Sequence, residues 1–420
     1  MRKVLAALLA VLASAASAAA QPSAPLTLTF EEAVARALAN SPTVADAAQA
    51  ILRAEAALQQ AGLVRRPTIG ATVTTTVLNE ARGFDGLVTQ PRTQTFIGGS
   101  VAYPVLAAAR WAEQAQAADQ VGIARIGADE VRRQIGIATG QAYLALIAVR
   151  RQVEVNQRAL ENARAHLDFA RARLEAGAGS RLNELRAAQE VETDEVLLES
   201  SRLGVRLAQE ALGLLVAADG PVDAAGEPGF EVPAAPADAG WLSSRTDVRL
   251  FDARVEAADR VVADSWKDWI PNGAVSFNPQ FVTPAGLFQP SNTWSAVVQF
   301  GVPLFDAGQR RLARRQREIA AASARLQRTD VELAARTELR QARASVESTE
   351  RALAHARLAA SHAAEVVRIT DVAYRAGATT NLELIDAQRR ARDADTAAAQ
   401  AEDRVRQARF ALLVALGRFP

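Results

Sequence analysis

The amino-acid sequence predicts a mainly α protein with a membrane-type β portion, in which long coiled-coil helices join short strands in an internally duplicated chain. Three observations carry this expectation. Landmarks of the first half recur in the second at a period of about 200 residues, the mark of a repeat architecture. Each half holds a long stretch without proline, 106–176 and 306–376, patterned on a heptad. Each half also holds two short segments that alternate apolar and polar residues.

The duplication rests on three pairs of landmarks in common order. Arg66-Pro67-Thr68-Ile69-Gly70-Ala71 parallels Ile270-Pro271-Asn272-Gly273-Ala274. Tyr103-Pro104-Val105 parallels Val302-Pro303-Leu304, and Ala176-Gly177-Ala178 with Leu182 parallels Ala376-Gly377-Ala378 with Leu382. Each half therefore reads helix, strand, strand, long helix, tight turn, helix. The expected organisation is a signal peptide at 1–20, a first repeat at 21–220 with its hairpin at 68–103, a linker at 221–243, and a second repeat at 244–420 with its hairpin at 274–303.

The strands follow from period-two patterning. Residues 68–78 set Ile69, Ala71, Val73 and Val77 against Thr68, Thr72, Thr74 and Thr76. Residues 93–103 place Thr93, Thr95, Ile97, Val101 and Tyr103 on one face. Val275, Phe277 and Phe281 alternate with Ser276, Asn278 and Gln280, and Trp294, Ala296, Val298, Phe300 and Val302 with Ser295, Gln299 and Gly301. Segments of this length suit membrane β-strands, and alternation by itself suits a half-buried soluble sheet equally.

The long helices favour the first reading. At 1.5 Å per residue a helix of ~70 residues is about 105 Å long, far beyond a globular helix. The seam runs Leu146, Val153, Leu160, Leu167, Leu174 in the first repeat and Leu339, Val346, Leu353, Ala360, Val367, Tyr374 in the second. Ala342, Thr349, Ala356, Ala363 and Thr370 lie three residues after the first five of these. The returning helix at 381–416 carries a stripe of alanines from Ala387 to Ala415, which suits helices packed side by side in a thin curved wall. The shorter helices at 42–66 and 182–216 nearly match one long helix end to end, and 244–269 with 381–416 does the same. The turns at 177–181 and 377–380 then lie about 100 Å from the hairpins. Four strands cannot close a barrel, and open edges are not tolerated in lipid, so a membrane sheet here needs several chains. Three chains supply twelve strands, an ordinary barrel size.

Composition narrows the function classes. Residues 1–20 combine Arg2 and Lys3, the apolar run Val4 to Ala13, and Ala18-Ala19-Ala20, the pattern of a secretory signal. The formal net charge of the whole chain is +1, which gives no case for a nucleic-acid partner. No cysteine is present, which removes disulfides, thiolate metal sites and thiol nucleophiles. After residue 20 no run of 18 apolar residues offers a transmembrane helix. The three histidines, His166, His355 and His362, form no metal-ligand pattern, and no phosphate loop or nucleophile motif occurs, so neither enzyme nor cofactor is expected.

Several motifs together resemble the TolC family of outer-membrane efflux ducts. Leu26-Thr27-Leu28-Thr29-Phe30-Glu31-Glu32-Ala33-Val34, followed by Ala37-Leu38 and Asn40-Ser41-Pro42, resembles that family's start, and Thr29 with Glu32 forms a capping-box pattern. Val302-Pro303-Leu304-Phe305-Asp306-Ala307-Gly308 resembles its exit from barrel to tunnel. Tyr374-Arg375-Ala376-Gly377, running on to Leu382-Glu383-Leu384-Ile385-Asp386-Ala387-Gln388, resembles its periplasmic-tip turn. The resemblance implies a homotrimer with a twelve-stranded β-barrel in the outer-membrane lipid and a helical tunnel in the periplasm. It also implies a periplasmic adaptor, an inner-membrane pump and small-molecule cargo. A type I protein secretion duct shares the same fold, and a purely structural periplasmic coiled coil is the alternative of a different class. The first-repeat exit, Tyr103 to Ala109, lacks the Phe-Asp-x-Gly portion, and the stretch Ala176 to Gln189 is one residue longer than Ala376 to Gln388.

The candidate site lies at the tip turns, Gly177 and Gly377. Glu383 and Asp386 are three apart and share a helix face, matching the family's paired carboxylates at the tunnel tip. Around a threefold axis they imply acidic rings that select cations, whereas their spacing alone equally describes a helix N-terminus favoured by acids. Tyr374 matches a closing tyrosine and is also the next heptad residue. Thr379 stands where the family's founding type has a latch arginine, and Glu184 occupies the place of an acid that pairs with such closing residues. Arg310, Arg311, Arg314, Arg315 and Arg317 follow the barrel exit, on a face that suits solvent, lipid headgroups or the tunnel mouth.

Overall fold

The computed structural model describes residues 26–231, 240–285, 290–302 and 304–419. The predicted signal segment lies outside these residues, as do Pro303 and part of the linker. The elements run β1 (Leu26–Leu28), α1 (Phe30–Asn40), α2 (Pro42–Gly62), β2 (Thr68–Val77), β3 (Arg82–Phe84), β4 (Leu87–Gln90), β5 (Thr93–Leu106), α3 (Ala108–Glu175) and α4 (Arg181–Leu215) in the first half. They continue as β6 (Val222–Ala224), α5 (Trp241–Ser244), α6 (Thr246–Ala263), β7 (Asn272–Thr283), β8 (Asn292–Gly301), α7 (Gln309–Arg375) and α8 (Asn381–Ala415).

The two long helices have 68 and 67 residues. Each is therefore about 100 Å long. Each is flanked by two shorter helices stacked along it. On α3, the upper part carries α2, held by Arg125 to Glu55 at 2.8 Å, and the lower part carries α4, held by Asn156 Nδ2 donating to the Leu197 carbonyl at 3.0 Å. On α7, the upper part carries α6 through Arg325 to Asp259 at 2.6 Å, and the lower part carries α8 through Arg409 to Glu350 at 2.7 Å. The seams are those of the heptads. Leu160, Ala163, Leu167 and Ala170 of α3 are buried against Ala187, Val191 and Leu198 of α4. Leu339, Ala342 and Val346 of α7 are buried against Ala408, Leu412 and Ala415 of α8. Alanine on both sides of each seam keeps the wall thin, and the apolar repeat supplies the burial that stabilises it.

Ends are set by local chemistry. Thr29 Oγ1 accepts from the Glu32 amide at 3.2 Å while Glu32 accepts from the Thr29 amide at 2.9 Å, the full capping box that starts α1. The helices expected over 42–66 and 244–269 stop earlier. Each tightens into a 3₁₀ turn, Leu63–Arg65 and Asp264–Trp269, because Pro67 and Pro271 follow and the residue before proline avoids the α region.

At the opposite end from the tip turns the four main strands form one antiparallel sheet in the order β2-β5-β7-β8. Its register sorts most side chains by polarity, with Thr75 and Thr95 on the apolar side and Phe96 and Val297 on the polar one as exceptions. Ile69 pairs with Val101, Val101 with Phe277, and Phe277 with Ala296, while Val73 pairs with Ile97 and Ile97 with Phe281. Opposed residues point the same way, so one face is apolar across all four strands. The other face carries Thr72, Thr74, Ser100, Ser276, Gln280, Ser295 and Gln299. The apolar face is uncovered: Ile69 is 80% exposed and Trp294 70%. Strands β2 and β8 end the sheet with open edges. A small extra hairpin, β3 with β4, sits in the β2–β5 connection; its alternation spans too few residues to read in sequence.

The equator is an aromatic core. Phe30 packs edge-on against Tyr143, Phe230 and Phe410, and Phe410 against Phe419 at 4.8 Å. Gly140 permits this: a Cβ there meets the Phe410 ring at 2.6 Å. Parallel pairing of β1 with β6 crosses the same level, and Tyr143 Oη donates to the Gly226 carbonyl at 2.9 Å. This pairing joins segments nearly two hundred residues apart, each only three residues long, and leaves no periodic trace.

Candidate gate at the helical tip

Both tip turns have the same construction. Helix α3 ends with Gly177 at φ +70° and α7 with Gly377 at φ +76°, left-handed positions that favour glycine. The Gly177 amide donates to Leu174 at 3.0 Å and the Ala178 amide to Arg173 at 2.9 Å; Gly377 to Tyr374 and Ala378 to Ala373 repeat the pattern. These are Schellman closures, which satisfy the last carbonyls of each helix. Ser180 and Thr380 then cap α4 and α8 by accepting from Asn183 and Glu383. Five residues separate the helices in both repeats, Ala176 to Ser180 and Ala376 to Thr380. The extra residue of the first repeat thus falls inside α4 and not in the turn. Counted from the caps, Asn183 stands opposite Glu383 and Arg186 opposite Asp386, so only the second repeat carries the acid pair.

The predicted residues divide into two groups. Glu383 is exposed on the first turn of α8, with its amide held by the Thr380 hydroxyl. Asp386 is exposed one turn later and pairs with Arg390 at 3.0 Å. Glu184 is mostly covered and is held by Arg181, with Arg171 at 3.6 Å. Thr379 is half-buried beside Thr380, whereas its counterpart Gly179 lies so close to α3 that a Cβ would sit 2.9 Å from the Leu174 amide nitrogen.

Tyr374 is buried within the chain. Its ring lies 5.5 Å from His166 and 5.8 Å from Phe169, both on α3, and the Arg173 guanidinium stands 5.5 Å above it. Sequence reasoning missed the polar joint beneath. Asn381 at the start of α8 donates through Nδ2 to the Asn183 carbonyl at 3.2 Å. That leaves its Oδ1 to accept from His166 Nε2 at 2.6 Å. Burial pushes the His166 pKa down, against the opposing pull of Asn381 and Asp371.

A second joint lies about two to three turns above the tip. Glu190 and Asp194 of α4 are each 3% exposed. Arg389 Nε donates to Glu190 Oε2 at 2.7 Å, and Arg392 Nη1 to Asp194 Oδ1 at 2.5 Å. Burial pushes the Asp194 carboxyl up, and the hydrogen bond and charge of Arg392 oppose it. The trace in sequence is an acid pair four apart in one repeat and a basic pair three apart at the matching place in the other. Among the described residues no group of histidines and acids is arranged to hold a metal ion.

Comparison with known proteins agrees with this architecture. A family model described as outer membrane efflux protein matches residues 33–218 and 241–418. No curated protein matches the sequence. Among solved structures, the CmeC outer membrane channel of Campylobacter jejuni is similar with a TM-score of 0.80 at 15% identity, over 93% of this chain and 86% of that one. The outer membrane protein VceC of Vibrio cholerae is similar with a TM-score of 0.77 at 19% identity, over 92% and 96%. The open-state MtrE outer membrane channel of Neisseria gonorrhoeae gives 0.77 at 17%, over 92% and 88%. These likenesses establish the fold, and with a family match that spans both repeats the chain belongs to the outer membrane efflux protein family.

Proposed function

We propose that three copies of this chain form a duct through the outer membrane, which conducts exported small molecules delivered to its helical tip by a periplasmic adaptor and an inner-membrane pump. The observation that carries the reading is the sheet. It has one mainly apolar uncovered face, one mainly polar face and two open edges. Such a sheet is stable in lipid only when its edges are paired, and β8 of one copy against β2 of the next closes twelve strands around a polar lumen. The helical hairpins then extend about 100 Å into the periplasm. An uncovered apolar face disfavours a purely structural coiled coil, which has no use for it.

The tip acids set the ionic preference. Glu383 has no ion-pair partner among the described residues, while Asp386 shares its charge with Arg390. Three copies of Glu383 around the axis give a ring of carboxylates that attracts cations in a narrow throat. The test is reversal potential under a salt gradient in planar bilayers. Glu383→Ala with Asp386→Ala moves it toward zero, and Glu383→Ala alone accounts for most of the movement. An unchanged reversal potential returns both acids to a capping role, and a stable monomer by native mass measurement in mild detergent refutes the duct itself.

A further inference from the structure

The four segments that leave the sheet for the helices meet at one level. The 3₁₀ turn Leu63–Arg65 packs at the end of β5 and the start of α3, and the turn Asp264–Trp269 packs on α3, with Gln116 donating to Asp264 at 3.2 Å. Helix α7 joins them through Arg317 to Asp268 at 2.6 Å and through the Arg310 guanidinium, 4.6 Å over the Trp269 ring. In these segments, 63–66, 107–113, 264–269 and 304–318, nine basic side chains stand against five acidic ones, although the whole chain is nearly neutral. Arg65, Arg66, Arg110 and Arg311 are exposed and make no ion pair among the described residues. Trp266 and Trp269 are exposed beside them, at 58% and 53%.

This level coincides with the end of the apolar face. That face runs out at Tyr103, Phe300 and Val302, all exposed, seven to ten residues before Arg110 and Arg310, while on β2 it begins at Ile69, three residues after Arg66. Indole rings next to unpaired cations at the edge of an apolar band match a membrane–water boundary, where tryptophan sits at headgroup depth and basic side chains meet anionic headgroups. Arg310, stacked on Trp269 and paired with Asp306 at 2.9 Å, stands at the same depth.

Resting on the duct reading above, we propose that this band is a binding surface for anionic phospholipid headgroups of the periplasmic leaflet. The positive charge repeats three times around the barrel and selects phosphatidylglycerol over phosphatidylethanolamine. The same arginines hold the boundary between sheet and helices at the membrane surface.

The test is lipid retention. Purified protein is exchanged from mild detergent into mixed vesicles of phosphatidylglycerol and phosphatidylethanolamine, and lipids kept on the trimer are counted by native mass measurement. The wild type retains phosphatidylglycerol preferentially, by on the order of fivefold for each engaged arginine. Changing Arg65, Arg66, Arg110 and Arg311 together to Gln abolishes the preference, and changing the same four to Lys keeps it. Equal retention of the two lipids by the wild-type trimer overturns the proposal, as does a Gln variant that keeps the preference. A Gln variant with unchanged lipid retention but a shifted reversal potential also overturns it, by placing the band in the lumen. Failure to form a trimer at all overturns the duct reading, and is told apart from loss of lipid preference by the mass itself.

Discussion

Replacing Arg392 with Met probes the buried joint between the two helical hairpins. The Arg392 side chain is 16% exposed and reaches Asp194 Oδ1 at 2.5 Å and Glu190 Oε1 at 3.5 Å. Methionine fills similar volume and removes the charge. Asp194, 3% exposed, then stays buried without its partner. Breaking one side of a buried pair costs about 3–5 kcal/mol, and the lower end applies here because Arg389 still neutralises Glu190. Thermal unfolding of the detergent-solubilised protein at neutral pH should fall by several degrees, and bilayer conductance should rise as the tip loosens. The pH dependence carries the sharper sign. Burial already raises the Asp194 pKa above its unfolded value. The folded state therefore takes up a proton on acidification before the unfolded state does, and the variant's deficit shrinks as pH falls through that raised pKa. Adding Asp194→Asn to Arg392→Met should recover most of the loss at neutral pH, because no orphan charge remains. Arg390→Met serves as the control, since the Arg390–Asp386 pair is exposed and such pairs contribute about 0–1 kcal/mol. If Arg392→Met and Arg390→Met behave alike, the joint is not a stabilising contact.

Three further outcomes follow from the same geometry. Val298→Arg places a charge on the apolar face of β8, costs about 2–4 kcal/mol at the bilayer midplane, and should deplete the protein from outer-membrane fractions; normal insertion means that face does not meet lipid. Thr379→Arg should lower single-channel conductance only slightly, because Glu184, the partner the sequence suggests, is already held by Arg181 and Arg171; a large drop identifies a different acid across the trimer. The His166 pKa is depressed by burial, so stability is complete above the unfolded value near 6.5 and declines as pH falls below it. His166→Gln should flatten that decline, and an unchanged acid profile in the variant assigns the loss to other groups.

The large architecture was legible because it is written in periodicity. A seam such as Leu160, Leu167 with Ala163, Ala170 repeats at seven, and a strand such as Trp294, Ala296, Val298, Phe300 repeats at two, so each announces its element and its buried face. The glycines at 177 and 377 were legible for a related reason: helix ends need a left-handed residue, and the two repeats supply it at matching places. What stayed hidden depends on pairing between distant single residues. His166 with Asn381, or Asp194 with Arg392, joins positions about two hundred apart, and neither partner differs locally from a solvated helix residue. Tyr374 shows the limit most clearly. Heptad position and motif match both single it out, and only the fold shows that Phe169, His166 and Arg173 cover it within one chain.

The kinds of contact used at each interface also set where the molecule can move. Within each hairpin an apolar seam joins the helices, along Leu160 to Ala170 of α3 and midway along α7 at Leu339 to Val346, and its separation costs roughly 25 cal/mol for every Å² exposed. Between the hairpins the contacts change along the axis. At the equator Phe410 of α8 fits into the gap left by Gly140 of α3, an apolar lock that water cannot replace. Towards the tip most joints are polar, with Asn381 bridging His166 and Asn183, Arg389 on Glu190 and Arg392 on Asp194, and the Tyr374 ring against Phe169 is the aromatic exception. A neutral hydrogen bond such as that of Asn381, exchanged for one to water, changes free energy by only about 0.5–1.5 kcal/mol, whereas the charged pairs part cheaply only where water reaches both partners. A rotation of α7–α8 away from α3–α4 about the aromatic core would admit water to the polar joints and uncover Tyr374 while leaving the seam inside each hairpin intact. The displacement grows with distance from that pivot and is largest at Gly177 and Gly377, where the tip acids stand.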